Sequence, residues 1–314
     1  MACARYVPPV VSSRKLIVIG LEDQYGEKSA RLSAFPVYDA SLPIQPAFES
    51  AATQEDSVAG FDVIRIGGGQ YTFAANTYLD GSGDPLNPPP WMQILECSGF
   101  VRDTATRAPY AIYGPGNEKS MTFETFFSDI RHVGTGGRFT FVISGEAGKP
   151  VQLAFNGNFL YHPRDIKTAS YTITPAKIPP TYVKSQSTIT TEEEEIIPVQ
   201  KNLVIDSGIQ LLTRLEDTVD GSPSAFFIKK PIAPTWEITV EIERDFDWIE
   251  RIYRNEVPCA LKTVVGQEQG RMIEIKSERA QLISDPTYGE VGGIAVCTLR
   301  FGLSGTNFLQ FLHK

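Results

Sequence analysis

Three histidines, His132, His162 and His313, and four cysteines, Cys3, Cys97, Cys259 and Cys297, supply all the imidazole and thiol in a chain of 314 residues. Their spacing does not assemble a site. There is no C-x-x-C pair and no histidine–cysteine cluster of the kind that holds zinc. There is also no G-x-S-x-G elbow to present a serine nucleophile. A triad needs a base and an orienting acid next to that nucleophile, so the histidines are expected to be structural or solvated. The cysteines are expected to be reduced and mostly buried. No catalytic residue, no cofactor and no metal is expected.

The carboxylates are more suggestive. Glu241, Glu243, Asp245 and Asp247 alternate with Ile242, Arg244 and Phe246. At strand spacing they fall on one face as an acidic stripe. Such a stripe reads either as a solvated face or as the acidic lining of a pore. A glycosidase would need its carboxylate pair on opposite walls of a cleft, usually from separate strands. Glu192 to Glu195 reads as an exposed charge run. Gly114-Pro115-Gly116-Asn117-Glu118-Lys119-Ser120 approaches a phosphate loop, but Glu118 stands where glycine must precede lysine, and its charge would repel phosphate. Gly134-Thr135-Gly136-Gly137 lacks a third glycine at dinucleotide-binding spacing and reads as a hairpin turn. Phe123, Phe126, Phe127, Phe139 and Phe141 sit at the alternation a sheet core requires.

Composition sets the frame for these residues. With 42% hydrophobic and 21% charged residues the chain is an ordinary globular one, and 26 Gly and 22 Pro imply many turns. A net charge of −8 disfavours tight binding of nucleic acid. The same charge suits a channel through which DNA slides, because attraction to the wall would act as friction. Leu16 to Leu21 is too short for a signal peptide, and no run approaches the roughly 20 apolar residues that cross a bilayer.

Along the chain, residues 1–14 read as an extended N-terminal arm. A first β domain spans 15–165, with a long loop at 26–60. Gly67-Gly68-Gly69 is expected to break two strands, 61–66 and 70–79. Pro88-Pro89-Pro90 followed by Trp91 to Cys97 and Gly99 reads as a short capped helix, with Trp91, Ile94 and Leu95 on its buried face. Hairpins follow from Met121 to Tyr161. Prolines and Glu192–Glu195 mark 166–200 as a connecting segment, and 201–314 forms a second β domain. There, Trp236, Ile238, Val240 and Ile242 alternate as one strand face, and a helix capped by Asp245 or Asp247 runs through Asn255. The fold class expected is mainly β (α+β): two tandem β-sandwich or barrel domains, each with a short flanking helix.

Gly81-Ser82-Gly83 is followed by Pro89-Pro90-Trp91 and Ile94 to Phe100, and Ser128-Asp129 leads through to Gly134–Gly137. Gly148-Lys149-Pro150 with Phe155-Asn156-Gly157, and Lys15 to Gly26 with Glu22-x-x-Tyr25-Gly26, complete the set. In their order and spacing these segments resemble the tail tube proteins of long-tailed bacteriophages. The resemblance covers residues 15–165 well and the second half in outline. One departure is Gly136, where many relatives carry Arg or Lys. The resemblance implies a non-enzymatic virion protein, assembled in the bacterial host cytoplasm and residing in the tail. It implies self-association into homotrimeric rings of pseudo-sixfold symmetry, stacked into a tube. Other tail proteins would meet the tube ends, and DNA would pass through without specific binding or a membrane anchor. A distal tail or hub ring of the same fold is the alternative. A carbohydrate-binding or glycan-cleaving β-protein is the more distant one.

Overall fold

The computed structural model describes residues 15–41, 44–51, 63–103, 110–113, 118–127, 130–167, 171, 179–182, 187–191, 195–214, 223–229, 231–242, 258–305 and 307–314. Among them the chain is mainly β, with one short helix. The first half contains β1 (Lys15–Leu21), β2 (Ser33–Ala34), β3 (Tyr38–Ser41), β4 (Ile44–Ala51), β5 (Val63–Tyr78) and helix α1 (Met92–Glu96). It continues with β6 (Phe100–Asp103), β7 (Tyr110–Tyr113), β8 (Met121–Phe127), β9 (Ile130–Glu146) and β10 (Gln152–Tyr161). Next come β11 (Asp165–Ile166), β12 (Ser187–Thr190), β13 (Glu195–Ile196), β14 (Gln200–Asp206), β15 (Gln210–Arg214) and β16 (Ala225–Lys229). The chain ends with β17 (Thr235–Glu241), β18 (Cys259–Val265), β19 (Ile273–Leu282), β20 (Thr287–Val291), β21 (Ile294–Leu303) and β22 (Gln310–His313).

Glycines expected to turn the chain lie inside strands. Gly134–Gly137 is the middle of β9, not a hairpin turn. A Cβ on Gly134 would come within 2.2 Å of Phe123, and one on Gly137 within 2.1 Å of Phe159. These glycines therefore let aromatic rings press against the backbone. Gly136, at φ +66°, makes the local bulge where the register with β10 shifts between Asn158 and Leu160. Gly67-Gly68-Gly69 likewise lies within the single strand β5, opposite a register shift between Pro46 and Ala47. The stretch expected as loop, 26–60, carries β2, β3 and β4. The arm 1–14 and the helix expected through Asn255 lie outside the described residues.

Strand β9 is the spine of the molecule. One edge pairs with β10 along most of its length, and with β11 at Arg131 and Ile130. The other edge pairs with β8 in its first half and with β14 in its second. Between those partners, the Phe139 N–H donates to the Cys97 carbonyl at 3.2 Å, and Ser207 Oγ donates to the Phe141 carbonyl at 2.8 Å. The exposed stretch of backbone between two partner strands is thus satisfied by the end of α1 and by a side chain. From β8 the sheet passes to β1 and then β2.

The halves are knit together. β14 joins β9 to β17, and β22 pairs with both β19 and the first-half strand β7. A single apolar cluster includes Phe73, Phe123 and Phe159 from one half and Trp236, Leu299 and Phe311 from the other. Each fully buried phenylalanine contributes on the order of 2 kcal/mol through removal of apolar surface from water. Trp236, Ile238 and Val240 are buried as their alternation requires, but Ile242 lies past the strand end and is exposed. β19 runs unbroken from Ile273 to Leu282.

The loop after β5 shows why the halves fit closely. Gly83 N–H donates to the Gly270 carbonyl at 2.8 Å, and a Cβ on Gly81 would lie 2.2 Å from that same oxygen. Arg271 forks onto the Asp80 carboxylate at 3.0 and 2.6 Å. Trp91 Nε1–H donates to the Asp80 carbonyl at 2.9 Å, which seats α1 on the same junction.

Candidate assembly surfaces

The groups best suited to chemistry are tied up. Cys97, Cys259 and Cys297 are buried free thiols. Burial raises all three, that of Cys259 to about 12, so they stay protonated and unreactive. His313 is fully buried, with Nε2 2.8 Å from the Gly270 carbonyl. Tyr71 Oη lies 3.1 Å from His132 Nδ1 and donates to the His162 carbonyl at 3.4 Å, while His162 Nε2 lies 2.8 Å from Thr135 Oγ1. The hydroxyls that meet the two imidazoles belong to Tyr71 and Thr135, both of them buried.

Two buried carboxylates, Glu22 and Glu124, serve as internal anchors. Glu22 accepts from Gly26 N–H at 2.9 Å, Ser120 Oγ at 2.5 Å, Thr122 Oγ1 at 2.9 Å and Gly136 N–H at 2.8 Å. Four donors use the lone pairs a general base would need. Glu124 is ion-paired with Lys28 and Arg131 and accepts from Tyr171 Oη at 3.0 Å. Beside Glu22 opens a cleft of about 530 Å³, whose other charged lining includes Asp23, Arg31, Arg102 and Glu96, the last held by Lys119 at 2.6 Å. Among the described residues no group of histidine, cysteine, aspartate and glutamate gathers to hold a metal.

Of the expected acidic stripe, Glu241 ends β17 and is ion-paired with Lys201 at 2.6 Å. Glu243, Asp245 and Asp247 lie outside the described residues. Glu241 therefore sits on the sheet with its charge already compensated.

What the sheet does expose is an extended surface with two open edges. β4, β5, β10, β9, β14, β17, β21 and β20 follow one another, each antiparallel to the next. One face carries the core residues Phe139, Phe141, Leu203 and Trp236. The other presents small or polar side chains such as Thr72, Asn156, Thr140, Ser144 and Asn202, none of them buried. Among the described residues β4 pairs only with β5, and β20 only with β21. Eight strands is an even number, so the two edge strands run in opposite directions. Copies set side by side, head to tail, would meet antiparallel.

The β20 edge and the start of β21 carry exposed apolar side chains beside Thr287, Gly289 and Glu290. Tyr288 is 59% exposed, Val291 42% and Ile294 41%. They stand on a hairpin closed by Gly292 and Gly293, at φ +60° and +81°, the two-residue turn with both φ positive. An exposed edge with apolar side chains templates pairing with another chain, and proteins that stay single blunt such edges with charge. Sequence patterning misses this hairpin because 287–291 has no apolar alternation. No helix among the described residues is long and apolar enough to cross a membrane.

No protein-family model matches the chain, and no curated protein is significantly similar to it in sequence.

Proposed function

We propose that this chain is a non-enzymatic structural protein that self-assembles side by side into rings, stacked into a tube of the bacteriophage tail that conducts DNA. The observation that carries the reading is the eight-stranded antiparallel sheet whose two edge strands, β4 and β20, lack outer partners among the described residues. Continuing that sheet from copy to copy hides both edges and covers Tyr288, Val291 and Ile294. The side chains on its open face are mostly uncharged and polar, which suits passage of a polyanion. The resemblance of residues 15–165 to tail tube proteins supplies the word tail, and with two tube-like domains per chain the ring is a homotrimer.

Negative-stain electron microscopy and sedimentation of the purified chain test this reading. Rings or hollow tubes are expected, and Val291→Lys should leave a folded monomer. A wild-type chain that stays monomeric at high concentration, with or without a tail-tip seed, would overturn it. A single ring that never stacks would move the protein to the tail tip or hub.

A further inference from the structure

We propose that the cleft between the end of β1, helix α1 and β6 binds a small organic anion, whose carboxylate or phosphate is held by Arg31 and Arg102 while its carbon body lies on an apolar wall. This does not depend on the assembly reading. The cleft measures about 530 Å³, a size usual for sites that enclose a small molecule. Leu21, Pro88, Pro89 and Met92 give it apolar surface, and Gln93 adds an amide.

The cations decide what kind of ligand fits. Elsewhere arginines are committed, Arg131 to Asp165 and Arg271 to Asp80. Arg31 and Arg102 line the cleft with no ion pair among the described residues. Arg31 is exposed and Arg102 half-buried, so a ligand can reach both. A guanidinium offers a fork of N–H donors that matches the paired oxygens of a carboxylate or phosphate.

The acidic lining does not cancel these two charges. Glu96 is met by Lys119, whose Nζ lies at 2.6 Å and whose N–H donates to the Glu96 carbonyl at 3.2 Å. Glu22 is turned onto its four donors, with Arg138 close by. Burial raises the Tyr25 hydroxyl and the Cys97 thiol, and on both of them Arg138 pulls down while Glu22 pulls up, as neighbouring opposite charges do. Arg138 lies 5.5 Å from the Tyr25 ring centroid, and its Nε and Nη1 are buried without a hydrogen bond among the described residues, so its charge is not spent on another carboxylate. Asp23 then stands alone against two guanidinia. The cleft keeps a surplus of positive charge beside an apolar wall.

The site is also built in advance. Ser29 Oγ accepts from the Arg31 N–H at 3.2 Å and donates to the Arg31 carbonyl at 3.4 Å. A Cβ on Gly20 would lie 2.1 Å from that carbonyl oxygen, so the backbone at Arg31 is pressed onto β1. Arg102 is held in β6 opposite Ala111 of β7, and the Met92 N–H donates to the Pro89 carbonyl at 3.0 Å, which ties the apolar wall to α1. Only the ends of two side chains must be ordered when a ligand enters.

Equilibrium dialysis of the full chain at fixed ionic strength tests this, with phenyl phosphate and benzoate as probes and inorganic phosphate for comparison. Saturable binding of at least one probe is expected, and the tighter of the two identifies the headgroup. Inorganic phosphate should bind at least about tenfold more weakly, because it cannot use the apolar wall. Arg31→Gln and Arg102→Gln should each weaken the probe about tenfold or more, and Asp23→Asn should tighten it. Lys229→Gln, which removes an exposed charge from β16, should change nothing. No saturable binding of either probe would overturn the proposal, as would inorganic phosphate binding as tightly as the better probe. So would arginine variants that lose no more affinity than Lys229→Gln; should one of them fail to fold by circular dichroism, the other decides.

Discussion

Strands β9 and β20 use glycine in opposite ways. In β9, Gly134 and Gly137 lie under Phe123 and Phe159 with no room for a methyl group. In the β20–β21 hairpin, a Cβ on Gly292 or Gly293 would meet nothing within 4 Å, and the positive φ of each alone accounts for it. The first pair is required by close packing and the second by backbone conformation. The difference separates a rigid centre, which sets the fold, from a periphery that can be altered without disturbing it. On the proposed reading, that periphery is where copies meet.

The comparison breaks most visibly at Gly137. Gly137→Ala drives a methyl into Phe159 and should cost about 3 kcal/mol, seen as a lower midpoint in urea unfolding. An unchanged midpoint would mean that the Phe159 ring moves aside freely and that β9 is not rigid. Glu22→Ala should come next, at about 2 kcal/mol, because it strands the Gly136 and Gly26 N–H groups and two hydroxyls away from water. Thermal unfolding would register it. Gly292→Ala should cost about 1 kcal/mol through its positive φ and leave the rest of the molecule unchanged. The smallest effect on stability belongs to Val291→Lys, within about 0.5 kcal/mol by urea unfolding. The same change should have the largest effect on sedimentation, so the two measurements together locate the boundary between centre and periphery.

Much of the centre was legible. The alternation of Trp236, Ile238 and Val240, the proline-led helix with its buried Trp91, and the hairpins of β8 to β10 all follow from periodicity and turn residues. Glycine misled where its reason was a ring on the neighbouring strand. Nothing local distinguishes Gly137 under Phe159 from a glycine in a turn. The anchors at Glu22 and Glu124 were illegible for a related reason, since each is buried by partners as distant in sequence as Gly136 and Tyr171. The acidic stripe was a pattern of spacing alone, and Glu241, its one described member, answers to Lys201 across the strand.

The sequence by itself determined that this is a mainly β protein without a shared metal, thiol or nucleophile motif, because composition and short-range spacing carry that information. Tertiary structure alone decided that one edge of β9 takes β8 and then β14, that β7 and β22 join the halves, and that β4 and β20, among the described residues, each keep a single partner strand. Those outcomes depend on which backbone hydrogen bonds are already taken by distant strands, and no local pattern records that.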